Sequence, residues 1–231
     1  MSLISMIIYF VILMVIPMWA QHKVKSNYEK YSQVRSTSGK TGREVAEEIL
    51  HANGIYDVDV VKGDGFLTDH YDPNKKVVCL SPANYDRPSV AGTAIAAHEC
   101  GHAIQHQQGY VFLRFRSALV PVANLGSSLS YMVIMLGIVL TALGSAFGST
   151  ALWIGAGLMS LAVLFSIVTL PVEFDASSRA MKQITALNIV NEKEYKHAKK
   201  VLSAAAMTYV ASTAVALAEL ARIILIARSS D

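Results

Sequence analysis

The sequence predicts a mainly α-helical integral membrane protein, with about four transmembrane helices and one polar α+β segment that holds a small sheet. Of 231 residues, 16% are charged and 53% hydrophobic, whereas a soluble domain carries about a quarter charged residues. The charges are also unevenly spread. Met1 to Gln21, the 56-residue run from Ser117 to Val172, and Val201 to Ala218 contain no Asp, Glu, Lys, Arg or His. Residues 22–116, by contrast, gather 12 basic and 11 acidic side chains, and only there do strand-like and capped helical patterns occur.

Other classes are excluded by the same composition. Two cysteines, Cys79 and Cys100, cannot build a disulfide scaffold. A net charge of +3 offers no basic face of the kind nucleic acid requires, so no nucleic-acid partner is expected.

Taken in order, residues 1–21 form an N-terminal transmembrane anchor. The stretch from Leu3 to Ala20 is long enough to cross roughly 30 Å of hydrocarbon at about 1.5 Å per residue. It lacks the basic n-region of a cleaved signal peptide, so it reads as uncleaved. Lys23, Lys25, Lys30 and Arg35 follow at once, which places the N-terminus outside and the next segment in the cytoplasm. Residues 22–117 are the polar segment. Thr41-Gly-Arg-Glu44 is a capping box that opens a helix with Val45, Ile49 and Leu50 on one face and Gly54 as its stop. Val58 to Lys62 and Lys76 to Ser81 are β-branched runs bounded by turn residues and read as strands. From Ser89 to about Gln107 a further helix is expected.

Residues 118–171 form a transmembrane hairpin, with spans near 120–144 and 150–170 and a turn at Gly144 to Thr150. Arg114 and Arg116 before it and Arg179 and Lys182 after it return both ends to the cytoplasm. Pro171, followed by Glu173 and Asp175, has the pattern of a helix N-terminus, so residues 172–200 are expected as a separate cytosolic helix. Residues 201–231 form a C-terminal transmembrane or membrane-associated helix, in which Glu219 and Arg222 stand at pairing distance, i and i+3.

The chemistry lies in His98-Glu99-Cys100-Gly101-His102. Residues four apart share a helical face, so both imidazoles can reach one tetrahedral Zn2+, and Glu99 adjoins that position as a candidate general base. Cys100 falls about 200° around the helix from the histidines and reads as a packing residue. His106 lies about 12 Å along the axis from His98, too far for the same ion. Gln at positions 105 and 108 closes the extended three-histidine motif. The flanking polar residues argue against a motif embedded in a span. A distant carboxylate must then be the third ligand, and Glu173, Asp175, Glu192 and Glu194 are the downstream candidates, with Glu173 first after the hairpin. The same acids also suit a helix N-terminus without any metal.

These residues match a family. His98-Glu-Cys-Gly-His102 and Pro171-Val-Glu-Phe-Asp-Ala-Ser177, with Thr68 to Pro73 and Val78 to Ser81, resemble the YugP-like neutral zinc metallopeptidases of bacterial membranes. The resemblance spans nearly the whole chain. More remotely, the chain is similar to the HtpX-type membrane proteases of the gluzincin clan. The resemblance implies a zincin-like cytosolic metalloprotease domain with zinc held by His98, His102 and Glu173 and with Glu99 catalytic. It also implies that the strand before the motif helix, Val77 to Ser81, is an edge that pairs with extended substrate beside the cleft. One departure stands out. HtpX-type relatives carry, four residues after the ligand glutamate, an aspartate that supports a zinc histidine, and Ser177 occupies that position here. Either Asp175 reaches the site through irregular backbone or the histidines are supported differently.

The expected function is therefore a membrane-embedded zinc endopeptidase at the cytoplasmic face of the bacterial cell membrane. Its partners would be the lipid bilayer and membrane-associated protein or peptide substrates. The alternative is a non-catalytic membrane scaffold retaining a structural zinc. A structural site closes all four positions with protein ligands, and only three are assigned here.

Overall fold

The computed structural model describes residues 3–230, apart from the side chains of Leu3, Ser5, Met6, Ile8 and Ile12. The order is α1 (Leu3–Ser32), α2 (Gly42–Ala52), β1 (Asp59–Lys62), β2 (His70–Asp72), β3 (Val77–Leu80), α3 (Pro82–Asp86), α4 (Val90–Gln107), α5 (Val111–Ala142), α6 (Phe147–Ala186) and α7 (Glu192–Ser229). The chain is thus mostly helical with one small sheet. Among the described residues three helices, α5, α6 and α7, are long and apolar enough to cross a membrane.

Two compact units divide the described chain. The first comprises residues 1–113 and 172–208 and is built around α4. Ser89 caps that helix by accepting from Gly92 N, as a serine at this position should. Small residues, Ala91, Ala94, Ala96, Ala97, Cys100 and Ala103, are buried nearly all around α4, so neighbouring elements can approach it from several sides. The capping box at Thr41 forms with both reciprocal bonds, and Val45, Ile49 and Leu50 are buried, with Gly54 at positive φ just past the end of α2. From the far end of the sequence, Ala180, Ile184, Ala198 and Leu202 join the same hydrophobic core.

The sheet has the order β1-β3-β2, with β1 parallel and β2 antiparallel to β3. This corrects the expectation that the strand before the motif helix is an edge. β3 is central and hydrogen-bonded on both sides, so it has no free face for strand addition. The strand that displaces it from the edge, β2, is three residues long. Asp69 just before it accepts from Ser81 N and Oγ and from Asn84 Nδ2, tying the start of β2 to the end of β3.

The second unit comprises residues 114–171 and 209–231. α5 and α6 are joined by a turn in which Gly144 adopts a φ of +74°, which an L side chain rarely tolerates. Ile134 of α5, Leu152, Ala156 and Met159 of α6, and Ile223 and Ala227 of α7 form its buried cluster. In α7 the expected pair is present, Arg222 Nη2 to Glu219 Oε2 at 2.9 Å.

A second correction concerns Pro171. No helix begins there, because α6 runs unbroken from Phe147 to Ala186 with Pro171 inside it. Proline inside a helix removes one N–H donor, but apolar helices tolerate it where neighbouring groups satisfy the backbone. Separately, Gln105 of α4 donates to the carbonyl of Val172 at 2.8 Å, which ties α4 to α6 just past the proline. At about 1.5 Å per residue a 40-residue helix is roughly 60 Å long, about twice the hydrocarbon thickness. One helix therefore has the length to serve both as span and as carrier of the acids that follow it.

Candidate metal centre

His98 and His102 stand one turn apart on α4, and Glu173 faces them from α6. Glu173 Oε2 lies 3.3 Å from His98 Nε2 and 3.6 Å from His102 Nε2. The three ligand atoms fall within 4.8 Å of one another. For ligands about 2.0–2.1 Å from a zinc ion in tetrahedral array, neighbouring ligand atoms should be about 3.3–3.4 Å apart. The donor set and its spacing fit such an ion. Glu173 is 2% exposed and His102 and Glu99 are 8% exposed, so these groups are withdrawn from bulk water.

Close approach of the two helices depends on Gly101. A Cβ at that position would stand 2.5 Å from the backbone oxygen of Ala176 on α6. No side chain fits there, and the glycine within the motif lets α6 come near enough for Glu173 to reach the histidines. Cys100 points away as its position on the helix requires. It is buried with its thiol against Ala46 O at 3.5 Å, and burial pushes that thiol well above its ordinary range.

Each histidine is held by its other nitrogen. Gln105 is fully buried, and its Nε2 donates to Val172 O and to Asp175 Oδ2, both at 2.8 Å. Its Oε1 is then the acceptor toward His102 Nδ1 at 3.0 Å, which places a proton on Nδ1 and leaves Nε2 as the nitrogen that faces Glu173. Arg179 fixes Asp175 from one turn along α6. His98 Nδ1 meets the Ser177 hydroxyl at 3.2 Å. The departure from the HtpX-type pattern is thus resolved: Ser177 supports one histidine, and Asp175 acts on the other through Gln105. Sequence reasoning missed Gln105, although its i+3 spacing from His102 put it on the right face.

The electrostatics follow from burial and proximity. Burial pushes the Glu99 carboxyl upward, against the opposing pull of His98 and His102. For Glu173 burial acts in the same upward sense, yet the imidazoles of His102 and His98 hold its carboxyl well below the usual carboxylate range. It is therefore an anion, the form in which a carboxylate could hold a metal ion.

The other candidate ligands lie elsewhere. Glu194 accepts from Thr37 N and Oγ1 and from Asn191 N, which ties the start of α7 to the loop after α1. Glu192 is exposed at the start of α7. His106 pairs with Tyr71 Oη at 2.8 Å. Burial, with Asp57 and Asp72 nearby, pushes the Tyr71 hydroxyl up to about 12, so it remains a neutral partner for that imidazole.

Comparison with known proteins agrees with this chemistry. A family model described as "Putative neutral zinc metallopeptidase" matches residues 6–228. The chain is also 46% identical, over 208 residues covering 90% of each chain, to a Bacillus subtilis (strain 168) protein named "Putative membrane protease YugP". No solved structure matches it.

Proposed function

The chain belongs to the neutral zinc metallopeptidase family, and from that membership we propose that it is a membrane-embedded zinc endopeptidase. It cleaves peptide bonds of membrane or membrane-proximal proteins at the cytoplasmic face, in quality control or processing. His98, His102 and Glu173 hold the metal and Glu99 is the catalytic residue. The observation that carries this reading is the convergence of three ligand atoms from two helices, with a buried carboxyl next to one of them in sequence. Zinc bound there supplies Lewis acidity toward a peptide carbonyl. Glu99 takes a proton from the attacking water and passes it to the leaving amine, a task suited to a carboxyl whose proton affinity is raised by burial. Gln105 and Ser177 keep both imidazoles in the tautomer and orientation that ligation needs.

Membership supports a peptide or protein substrate, and the three apolar helices support residence in a membrane. The cytoplasmic assignment rests on basic residues that flank the uncharged stretches: Lys23 and Lys25 in α1, Arg114 and Arg116 in α5, Arg179 and Lys182 in α6, and Lys199 and Lys200 in α7. If α1 also crosses the bilayer, the spans number four. Exposed Phe10, Val11, Met14, Val15 and Met18 along its first half suit that role.

The scaffold reading is separated by one experiment. Glu99→Gln in detergent-solubilised full chain should retain zinc, measured by elemental analysis, while casein cleavage falls at least about a hundredfold, the scale of general acid–base contributions. Undiminished cleavage at full zinc occupancy would sink the enzymatic reading.

A further inference from the structure

Away from the metal centre, the first unit holds a concentration of positive charge that peptide hydrolysis leaves unexplained. Lys23 and Lys30 of α1 and Lys196, Lys199 and Lys200 of α7 line one groove of about 740 Å³ beside the ring of Tyr31. All five lysines are exposed, no Asp or Glu lines the groove, and none of the five forms an ion pair with a carboxylate among the described residues. Tyr31 is 3% exposed and stacks on His197 of α7 with centroids 4.6 Å apart, so the two helices are joined at the groove itself. Ammonium groups gathered without counter-charge repel one another, and a bound anion would relieve that repulsion.

Position decides which anion. The α7 lysines directly precede the charge-free run that starts at Val201, in a helix long and apolar enough to cross a membrane. The α1 lysines directly follow that helix's uncharged first half, where Lys23 Nζ lies 4.7 Å from the centroid of the exposed Trp19 ring. A tryptophan beside lysine at the end of an apolar helical stretch marks headgroup depth. Ala204 and Met207 line the groove one and two turns further toward the apolar half of α7, so it is basic in one part and apolar in another. We propose that this groove binds the phosphate of an anionic glycerophospholipid drawn from the bilayer. The lysines take the phosphate oxygens, Asn27 and Ser203 reach the ester oxygens of the glycerol backbone, and Met207 meets the start of an acyl chain. Basic pockets between membrane helices suit such headgroups. The assignment is independent of peptidase activity.

The test uses full-length protein in dodecyl maltoside, with lipid binding followed by native mass spectrometry. Dioleoylphosphatidylglycerol should bind saturably, and Lys30→Gln/Lys196→Gln/Lys200→Gln should weaken it at least tenfold. A control with the same charge loss outside the groove, Lys25→Gln/Lys75→Gln/Lys193→Gln, should weaken it less than threefold. Equal weakening in both variants would reduce the effect to diffuse attraction and overturn the site. Equal affinity for dioleoylphosphatidylcholine would overturn the requirement for net negative charge. Displacement of the lipid by inorganic phosphate at equal concentration would assign the groove to a free anion instead. Should the triple variant fold poorly, Lys200→Gln alone is expected to weaken binding about threefold while Lys193→Gln alone leaves it unchanged, and equal effects of the two would overturn the site.

Discussion

Two helix contacts in this chain use the same device to different ends. In the first unit α4 meets α6 at Gly101, where the helices are so close that a Cβ would strike the Ala176 backbone. In the second unit α5 meets α6 at Gly137, where a Cβ would fall 2.9 Å from Leu152 N. At Gly101 the close approach brings two imidazoles, two carboxyls and a buried glutamine into one space. At Gly137 it brings only apolar atoms together, around Ile134, Leu152 and Met159. Helices that share an apolar solvent gain little by hiding hydrophobic surface, so contact between small residues is itself the main attraction. The first contact can therefore be expected to fail as chemistry, and the second as stability.

The largest effect should come from Gly101→Ala. The added methyl cannot be accommodated unless α4 and α6 separate, and Glu173 sits one turn before Ala176 on the helix that would move. A displacement of about 1 Å exceeds the roughly 0.2 Å tolerance of a coordination bond. Bound zinc should be lost and casein cleavage should fall at least a hundredfold, with circular dichroism showing the helical content retained. Full zinc occupancy in this variant would mean that the approach at Gly101 does not build the site.

Next in size is Gln105→Leu, which keeps the volume and removes the link between Asp175 and His102. Loss of such a partner typically costs about 10–100-fold in metal affinity, readable by chelator competition. Gly137→Ala is the counterpart in the second unit. Overpacking of this kind costs about 1–3 kcal/mol, so thermal unfolding should occur at lower temperature while zinc stoichiometry and kcat stay unchanged. If Gly137→Ala also lost zinc, the two contacts would not be separable in the way their chemistry suggests.

How much of this could be read from the sequence depends on whether a residue's role is local. The caps at Thr41 and Ser89, the faces of α2 and α4 and the hairpin turn at Gly144 rest on neighbours a few residues away, and the sequence displays them. The His98, Glu99 and His102 spacing is local as well. β2 is not, because His70-Tyr71-Asp72 has no alternating pattern and becomes a strand only by pairing with β3. That pairing makes β3 central and removes the edge expected for substrate. Pro171 misled for a related reason: its local preference is to start a helix, while the length of α6 and its contact with α4 carry the helix through. Gln105 carries no charge and belongs to no motif, and Ser177 stands in the motif as a departure whose role the sequence leaves open. Only the opposite helix gives them their roles, although their spacing from His102 and Glu173 placed each on the correct face.

That difference in support leads to the smallest expected effect and the sharpest comparison within the site. His102 is held by a fully buried glutamine that is itself tied to Val172 and Asp175, with Asp175 tied to Arg179. His98 is held by one hydroxyl at 3.2 Å, and its side chain is 14% exposed. A water molecule can replace a hydroxyl at a partly exposed nitrogen at little cost, whereas Gln105 lies where water has no entry without repacking. Ser177→Ala should therefore weaken zinc about two- to fivefold, well short of Gln105→Leu, and leave the melting temperature almost unchanged. Ser177→Asp should recover or exceed the original affinity, since a carboxylate accepts more strongly from an imidazole N–H than a hydroxyl does. Equal losses for Ser177→Ala and Gln105→Leu would show that the two histidines are held alike and that the deeper burial of Gln105 adds nothing to the strength of the site.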